Sequence, residues 1–411
     1  AQRARADAEK LVGFLIEDFY AELEPTGQLD AKSSQEVLAL LQRLNAEINV
    51  QQQSYAEIID KYNFNKEYFA AMPALKPMEG AYSANGFGPR MHPVLGIFKT
   101  HEGLDIINDV GTPVYASGNG AVVLAGILAG LGYLERPIAD ERFVFLGAGA
   151  AAIGITRLIH ADLEETGADA TAIRRATVLF DTKGIVYASR PGIEDDKASV
   201  GLTDEDLAAL ALAPDASPVE VVRILRPGTL IGTTQTPGAF TEELIRALAA
   251  GCANPLVFPL SNPTSKTEAT PEQVAEWTDG RAVCATGSPF PPVVRNGRTC
   301  VIGQANNSFI FPGVGLGAIV AGARVVRDAD FLVAARTLAA IVGPERLACG
   351  ALYPPVSDLR AVSRAIAIAV VRGIGTVHGA PLPEGEPGLV IARAAVDAAT
   401  WWPDYPTYEP A

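Results

Sequence analysis

Histidine and cysteine are scarce in this chain, with four of each among 411 residues. The cysteines are widely spaced and include no CxxC pair, so the sequence indicates neither a zinc cluster nor a disulfide scaffold. No HxH pair occurs anywhere in the chain. The sparse, unpaired cysteines are typical of a reducing compartment, and we expect a cytoplasmic protein. The four cysteines are Cys252, Cys284, Cys300 and Cys349.

Basic charge is also in short supply. Lys and Arg number 33 against 47 Asp and Glu, a formal net charge of -14. Such a balance disfavours binding to a phosphate backbone, so we expect no nucleic-acid partner. No apolar core follows a basic start, and the longest charge-free stretches contain proline and glycine, so we expect neither a signal peptide nor a membrane helix. The sequence favours small-molecule partners and is compatible with a homo-oligomer.

The pattern of residue types changes twice along the chain. Residues 1–72 have the apolar periodicity of a helical lead, and residues 73–120 have the prolines, glycines and short alternating runs of a β-hairpin segment. Over residues 121–411, buried-strand patterns alternate with helical ones, which predicts an α/β fold with a doubly wound parallel sheet of the Rossmann type. The predicted strands are FVFLG, TVLFD, TLIGTT, LVFPLSN, AVCATG and TCVIG.

Two helices of this region have clear end signals. In TPEQVAEW, Thr270 can cap, Pro271 occupies the first helical position, and Gln273 completes a capping box. In FTEELIRALAAG, Thr241 precedes two glutamates, and Gly251 can end the helix.

The stretch FKTHEGLDI places His101 four residues before Asp105, a common opening pair for zinc. With GPRMHP and GTPVYA around it, this segment resembles the start of the lysostaphin-like zinc endopeptidase domain, which cleaves peptide cross-links in bacterial cell walls. The resemblance implies that His101 and Asp105 are the first two zinc ligands. That family also needs a later HxH pair, so the half-site is incomplete. Weak zinc binding and a remnant without function remain alternatives.

FVFLGAGAAAIGITRLI, residues 143–159, is a strand, a glycine turn and a helix in that order. Gly147 permits the turn, Gly149 lets a pyrophosphate approach the backbone, and Ala152 stands at the third glycine position of a dinucleotide-binding loop. A purely structural strand-to-helix turn is the alternative. We expect His160, on the same helix, to be structural and His378 to be solvated.

The strand TVLFD ends in Asp181, where a carboxylate can accept hydrogen bonds from a ribose diol. Asp181 lies 34 residues after Gly147, against a usual spacing of about 20, and the polar segment ADLEETGADATAIRR can account for the excess. An acid here favours NAD over NADP. An ordinary strand-end acid is the alternative.

Further along, GTTQTPGAFTEE, PLSNPTSKTEATPEQ, IGQANNSFIFPGVGLGA and LYPPVSDLR resemble the NAD(P)-binding domain of malic enzymes, over about residues 121–411. Malic enzymes oxidise and decarboxylate malate to pyruvate with NAD(P) and Mg²⁺ or Mn²⁺. The resemblance implies that Asn262, Asn306 and Asn307 contact malate or the nicotinamide. Each asparagine could instead be an amide that caps a loop.

The family's base lysine, acid tyrosine and metal carboxylates belong to sequence before this match, and residues 73–120 resemble the endopeptidase instead. We therefore interpret the chain as a chimera and leave its catalytic residues unknown. The resemblance predicts NAD(P) binding of the malic-enzyme type, and a malic-enzyme-like oxidoreductase if the catalytic set is complete; the missing base, acid and metal ligands leave turnover open. Two alternatives are a zinc metalloendopeptidase acting on peptidoglycan and a non-catalytic binding or scaffold protein.

Overall fold

The computed structural model describes residues 119–400 apart from residue 296, together with the backbone of four short strands between residues 81 and 107. All of them belong to the compact unit Pro73–Ala411. The predicted helical lead, residues 1–72, lies outside the described residues. In the early segment, β2 pairs with β3 and β1 with β4, both antiparallel. These strands are β1 Ala81–Tyr82, β2 Gly88–Met91, β3 Phe98–His101 and β4 Ile106–Ile107.

A mostly parallel sheet organises residues 119–400, as the alternating pattern predicts. Six of its strands run parallel, and the short β7 joins the edge antiparallel to β6. The sheet strands are β5 Phe143–Leu146, β6 Thr177–Asp181, β7 Gly184–Ile185, β8 Thr229–Gly232, β9 Leu256–Pro259, β10 Val283–Thr286 and β13 Gly303–Gln304. Two hairpins complete the strands, β11 Val293–Arg295 with β12 Arg298–Cys300 and β14 Thr376–Val377 with β15 Ala380–Pro381.

The α-helices of this region connect the strands and cover both faces of the sheet. They are α1 Asn119–Tyr133, α2 Ala150–Glu165, α3 Ala170–Arg175, α4 Asp195–Ala198, α5 Asp204–Ala209, α6 Pro218–Leu225, α7 Glu242–Gly251, α8 Pro271–Trp277, α9 Phe311–Ala321, α10 Asp328–Ile341, α11 Pro344–Ala348, α12 Leu359–Ile374 and α13 Gly385–Ala399. In the part of the chain that these helices span, none has the length and apolar content that crossing a membrane requires.

Side chains on β5 show how the two layers form. Phe143 and Phe145 lie in the core cluster that includes α1, α2, α10 and α12. Val144 and Leu146 point the other way, into a cluster with α6, α7 and α8. Both sets are buried, which explains why the strands are apolar throughout instead of alternating.

The strand order is β13-β10-β9-β8-β5-β6-β7. The chain passes from β5 to β6 on one side and later returns to β8 on the other side of β5. The order therefore reverses between β5 and β8, and in open α/β sheets ligands bind in the crevice at the carboxyl ends of the strands at such a point.

One strand prediction is wrong in its bounds. TCVIG is not a continuous sheet strand, because Arg298–Cys300 forms the hairpin with β11 and the sheet edge begins only at Gly303. Between them, the Val301 amide donates to the Cys349 carbonyl at 2.8 Å, outside the sheet. Gly303 also lies so near Tyr353 that a Cβ would come within 2.9 Å of its ring. Tertiary contacts therefore divide the apolar run.

Both helix-end predictions are confirmed. Thr270 accepts the Gln273 amide at 3.3 Å while Gln273 Oε1 accepts the Thr270 amide at 2.9 Å, with Pro271 as the first residue of α8. Thr241 accepts the Leu244 amide, and α7 ends at Gly251.

Candidate functional site

A tight turn joins β5 to α2 at the point where the strand order reverses. Gly147 has φ +100°, a conformation that favours glycine. A Cβ there would lie 2.7 Å from the backbone carbonyl of Thr233, which follows β8. The Thr233 hydroxyl also donates to the Gly147 carbonyl oxygen at 3.3 Å. The turn therefore packs directly against the end of the neighbouring strand.

Gly149 is the residue that caps α2, and its surroundings are open. Its φ is -83°, and a Cβ added to it would meet no atom within 4 Å. No acidic side chain occupies the first turn of α2, whose backbone N–H groups have no acceptor within the helix. A helix end of this kind attracts a phosphate group.

Ala152 lies in the core, unlike the two glycines of the turn. Its side chain is fully buried in the core between α2 and the sheet. The small residue at the third position of the loop therefore allows the helix to pack closely on the strand, which is the role of the third glycine in a dinucleotide-binding loop.

Asp181 ends β6 and is held by cations. Arg190 Nη1 donates to Oδ1 at 3.0 Å and Arg190 Nη2 to Oδ2 at 2.5 Å, while Lys197 Nζ lies 3.6 Å from Oδ2. The Lys183 amide donates to Oδ1 at 2.8 Å. Burial alone would raise the pKa of the Asp181 carboxyl, but the hydrogen bonds from Arg190 and Lys183 and the two positive charges together lower this pKa. Asp181 is therefore an ionised carboxylate.

The glycine turn and Asp181 line one groove of about 1320 Å³, which we call the switch-point groove. This volume exceeds that of a typical drug-sized pocket and suits an extended ligand. The groove runs from the amino end of α2 to the end of β6, along the turn after β8. Its lining includes Gly147, Gly149, Asp181, Lys197, Asp215, Thr233, Thr234, Thr236 and Phe331.

The three predicted asparagines lie at the same edge of the sheet but do not line the switch-point groove. Asn262 follows β9 and accepts a hydrogen bond from the Ser288 hydroxyl, next to the end of β10. Asn306 accepts the Ser308 amide at 3.0 Å, which is the capping alternative, and its NH₂ group makes no hydrogen bond within the described residues. The Asn307 side chain is half-buried and likewise makes none to them.

The structure describes only part of the predicted zinc half-site. His101 is the last residue of β3 in the backbone, and Asp105 lies outside the described residues. In the region from 119 to 400, no group of three or more histidine, cysteine or acidic side chains could hold a metal ion.

The two remaining predicted histidines differ in environment. His160 Nε2 lies 2.8 Å from the Thr177 hydroxyl, and burial, with the charge of Arg174, lowers its pKa to about 4. His378 is exposed in the turn between β14 and β15, with φ +48°.

Sequence reasoning missed two parts of this site. Thr233 and Thr234 fall within the predicted strand TLIGTT, but the strand ends at Gly232 and both threonines lie in the turn that follows it. The polar residues of GTTQTPG are the signal that could have placed them in that turn. Arg190 gave no local signal, because it meets Asp181 only after the chain reverses through β7.

Comparisons with known proteins agree with this geometry. The family model described as malic enzyme, NAD binding domain, matches residues 116–374. The NAD-dependent malic enzyme of Sodalis glossinidius (strain morsitans) is 40% identical over 292 residues, 71% of this chain and 51% of that protein. NADP-dependent malic enzyme 2 of Arabidopsis thaliana is 43% identical over 254 residues, 62% of this chain and 42% of that protein. The chain spans about half the length of the curated relatives it matches.

Solved structures show the same fold. The malic enzyme of Entamoeba histolytica aligns with a TM-score of 0.52 at 24% identity, over 69% of this chain and 53% of that one. The malic enzyme from Pyrococcus horikoshii Ot3 aligns with a TM-score of 0.50 at 24% identity, over 68% of this chain and 58% of that one.

Proposed function

The chain belongs to the malic enzymes, whose NAD-binding domain it contains, and on this premise we propose that the switch-point groove binds NAD. The observation that carries the proposal is the open space at Gly149. A phosphate can approach the backbone there, at the amino end of a 16-residue helix without acidic side chains in its first turn.

The adenosine ribose then lies at Asp181, and we propose NAD over NADP for this reason. Oδ1 already accepts two hydrogen bonds, while Oδ2 accepts one, from Arg190. A carboxylate oxygen has two lone pairs, so Oδ2 can still accept a hydrogen bond from a ribose hydroxyl. A 2′-phosphate would meet the negative charge of Asp181, although Arg190 and Lys197 offset part of the repulsion.

The proposed reaction is the oxidation and decarboxylation of malate to pyruvate. Asn262, Asn306 and Asn307 carry amides that can orient a carboxylate or a carboxamide without adding charge. The cofactor supplies hydride transfer, and the family's Mg²⁺ or Mn²⁺ would polarise the reacting oxygen. The described residues offer no ligand set for that metal, so the proposal for this region is limited to binding and orientation.

Titration with NADH tests the proposal directly. We expect a saturable change in NADH fluorescence, reversed by ADP-ribose, which retains the pyrophosphate and both riboses. Nicotinamide alone should not reverse it. A fluorescence change that does not saturate, or that ADP-ribose cannot reverse, would exclude binding in this groove.

Absorbance at the NADH band tests turnover. Malate, NAD and Mn²⁺ are mixed with the protein, and NADH formation in proportion to protein would mean that the full catalytic set is present. Binding without turnover fits a domain that holds the cofactor and depends on groups elsewhere for its chemistry.

The zinc endopeptidase alternative rests on the sequence around His101 and Asp105 alone. Its test is the zinc content of the protein after dialysis, followed by cleavage of cross-linked peptidoglycan. Absence of both zinc and cleavage would remove this alternative.

A further inference from the structure

Glu268 is a carboxylate with no exposure to solvent, in the segment between β9 and α8. Among the side chains that the structure describes, no lysine, arginine or histidine forms an ion pair with it. Burying an ionisable carboxyl without a cation requires strong hydrogen bonds. Those bonds come from two loops, which indicates a specific role for this side chain.

The first loop follows β8. The Thr234 amide donates to Glu268 Oε1 at 2.8 Å, and the Thr234 hydroxyl donates to the same oxygen at 3.1 Å. Thr234 lines the switch-point groove, and its neighbour Thr233 contacts the Gly147 turn. Glu268 therefore holds one wall of the groove.

The second loop follows β9. The Ser261 hydroxyl donates to Glu268 Oε1 at 2.5 Å, and the Ser261 amide donates to Oε2 at 3.2 Å. Ser261 Oγ also accepts the Gln235 amide at 2.9 Å, which ties this loop back to the first. The next residue is Asn262. One carboxylate thus joins the ends of two adjacent strands at the edge where the groove opens.

Packing also restricts what can stand at this position. A Cβ on Gly232, the last residue of β8, would come within 2.7 Å of Glu268 Cγ. The glycine leaves the space through which the Glu268 side chain passes over the strand end.

We propose that Glu268 is a positioning residue that fixes the loops after β8 and β9 in the geometry that the bound dinucleotide requires, an inference that rests on the proposed NAD binding. Without this carboxylate, the amides of Thr234 and Ser261 lose their acceptors, and the two loops can separate. The Glu268 side chain itself is buried and does not line the groove.

Glu141 provides a matched control in the same sheet. It is also buried, and its Oε1 accepts the Thr229 hydroxyl at 2.9 Å at the beginning of β8. A Cβ on Gly228 would clash with its carboxylate, as one on Gly232 would with Glu268. The two glutamates lie at opposite ends of β8, and of the two only Glu268 is hydrogen-bonded to a residue that lines the groove. Glu141 also differs in its ion pair, because Arg136 Nη2 lies 3.4 Å from its Oε2.

The test compares Glu268→Gln with Glu141→Gln in the full chain, by NADH titration and by amide hydrogen exchange. In Glu268→Gln, a glutamine NH₂ must face a backbone or hydroxyl donor, so we expect the NADH dissociation constant to rise about tenfold and the Thr234 and Ser261 amides to exchange faster. Glu141→Gln should leave the NADH dissociation constant unchanged, and any faster exchange that it causes through lower global stability should not be concentrated at the Thr234 and Ser261 amides.

Unchanged NADH affinity and unchanged exchange in a folded Glu268→Gln variant would overturn the proposal. If Glu268→Gln does not fold, Ser261→Ala is the second variant, because it removes a single hydroxyl between the two loops. We expect it to raise the NADH dissociation constant and to speed exchange of the same amides, both to a smaller degree. If Ser261→Ala changes neither the NADH dissociation constant nor the exchange, the proposal is overturned. If the wild-type chain binds no NADH, the proposed function fails and this inference with it. If Glu268→Gln speeds amide exchange but leaves NADH affinity unchanged, Glu268 is a structural residue only and the proposal is overturned.

Discussion

At the scale of single residues, the two glycines of the turn should behave differently. Gly147→Ala forces a side chain into φ +100° and against the Thr233 carbonyl, so we expect it to lower the free energy of unfolding by about 1–3 kcal/mol. Gly149→Ala adds a methyl group in open space at φ -83°. It should leave stability unchanged while weakening NADH binding about tenfold or more, because the methyl group lies where the phosphate approaches.

Urea unfolding and NADH titration of both variants measure these effects. Gly147→Ala is the internal control for a change that acts through stability. Full NADH affinity in Gly149→Ala would place the phosphate elsewhere and contradict the proposed binding mode.

We expect the buried His160 to make the stability of the fold depend on pH. Its folded pKa is about 4 against an ordinary value of 6.5, so between these values the unfolded chain binds more protons. The free energy of unfolding should therefore fall as the pH falls from about 6.5 to about 4, by up to about 3 kcal/mol. His160→Gln can still bond Thr177 and should flatten this slope.

His378→Asn is the matched control for that experiment, because His378 is exposed and asparagine tolerates its positive φ. Urea unfolding at a series of pH values measures the slope. An equal slope in wild type and His160→Gln would show that another group titrates in this range.

We expect the charge of Asp181 to set the preference for NAD over NADP. Asp181→Asn removes the negative charge while Arg190 and Lys197 remain in place. We expect NADP to gain affinity relative to NAD, by about tenfold or more, because the two cations then face a 2′-phosphate without the carboxylate. Dissociation constants for NADH and NADPH measure the ratio, and an unchanged ratio would mean that Asp181 is an ordinary strand-end acid.

At the scale of elements, the sequence predicts the ends of a helix or strand correctly when the contacts that fix those ends are made by neighbouring residues. The caps at Thr241 and Thr270 follow from residues within one helical turn, and both are correct. The bounds of TCVIG depend on contacts with Cys349 and Tyr353, about fifty residues later, so no local pattern contains them. The same reason explains why Arg190 could not be assigned to Asp181.

The link between α3 and α5 gives a prediction at this scale. Asp206 is fully buried, accepts the Thr203 amide at 3.0 Å and Arg175 Nε at 2.7 Å, and is also bonded by Arg174. Burial raises its pKa, but these hydrogen bonds outweigh burial and lower it strongly. Asp206→Ala should lower the free energy of unfolding by about 3 kcal/mol, because it leaves two arginines without their partner.

Urea unfolding at neutral pH measures the Asp206 contribution. Since the folded pKa is depressed, this contribution should be present above pH 4 and lost as the pH falls further. Asp204→Ala, on the exposed side of the same helix, is the control. Equal stability of the two variants would contradict the inferred link.

At the scale of the whole molecule, the alternation of strands and helices is enough to predict a doubly wound sheet, and this sheet brings the site together. The ends of β5, β6 and β8 supply Gly147, Asp181 and Thr233, which are far apart in sequence. The sequence placed the first two through motif and strand-end position. It could not show that Asn262, Asn306 and Asn307 lie beside the groove rather than in it, because that depends on the order of strands in the sheet.

The same scale decides where the folding unit begins. α1 is buried along most of its length, Val122 accepts a hydrogen bond from the Tyr353 hydroxyl at 2.9 Å, and Gly126 packs against that tyrosine. A chain that starts at residue 119 keeps these contacts, so we expect it to unfold cooperatively and to bind NADH as the full chain does. A chain that starts at residue 134 exposes the surface that α1 covers and should not fold. Circular dichroism during urea unfolding, with NADH titration, measures both. If the chain from residue 119 fails to fold, residues before it contribute to the core, and the predicted boundary near residue 120 is wrong.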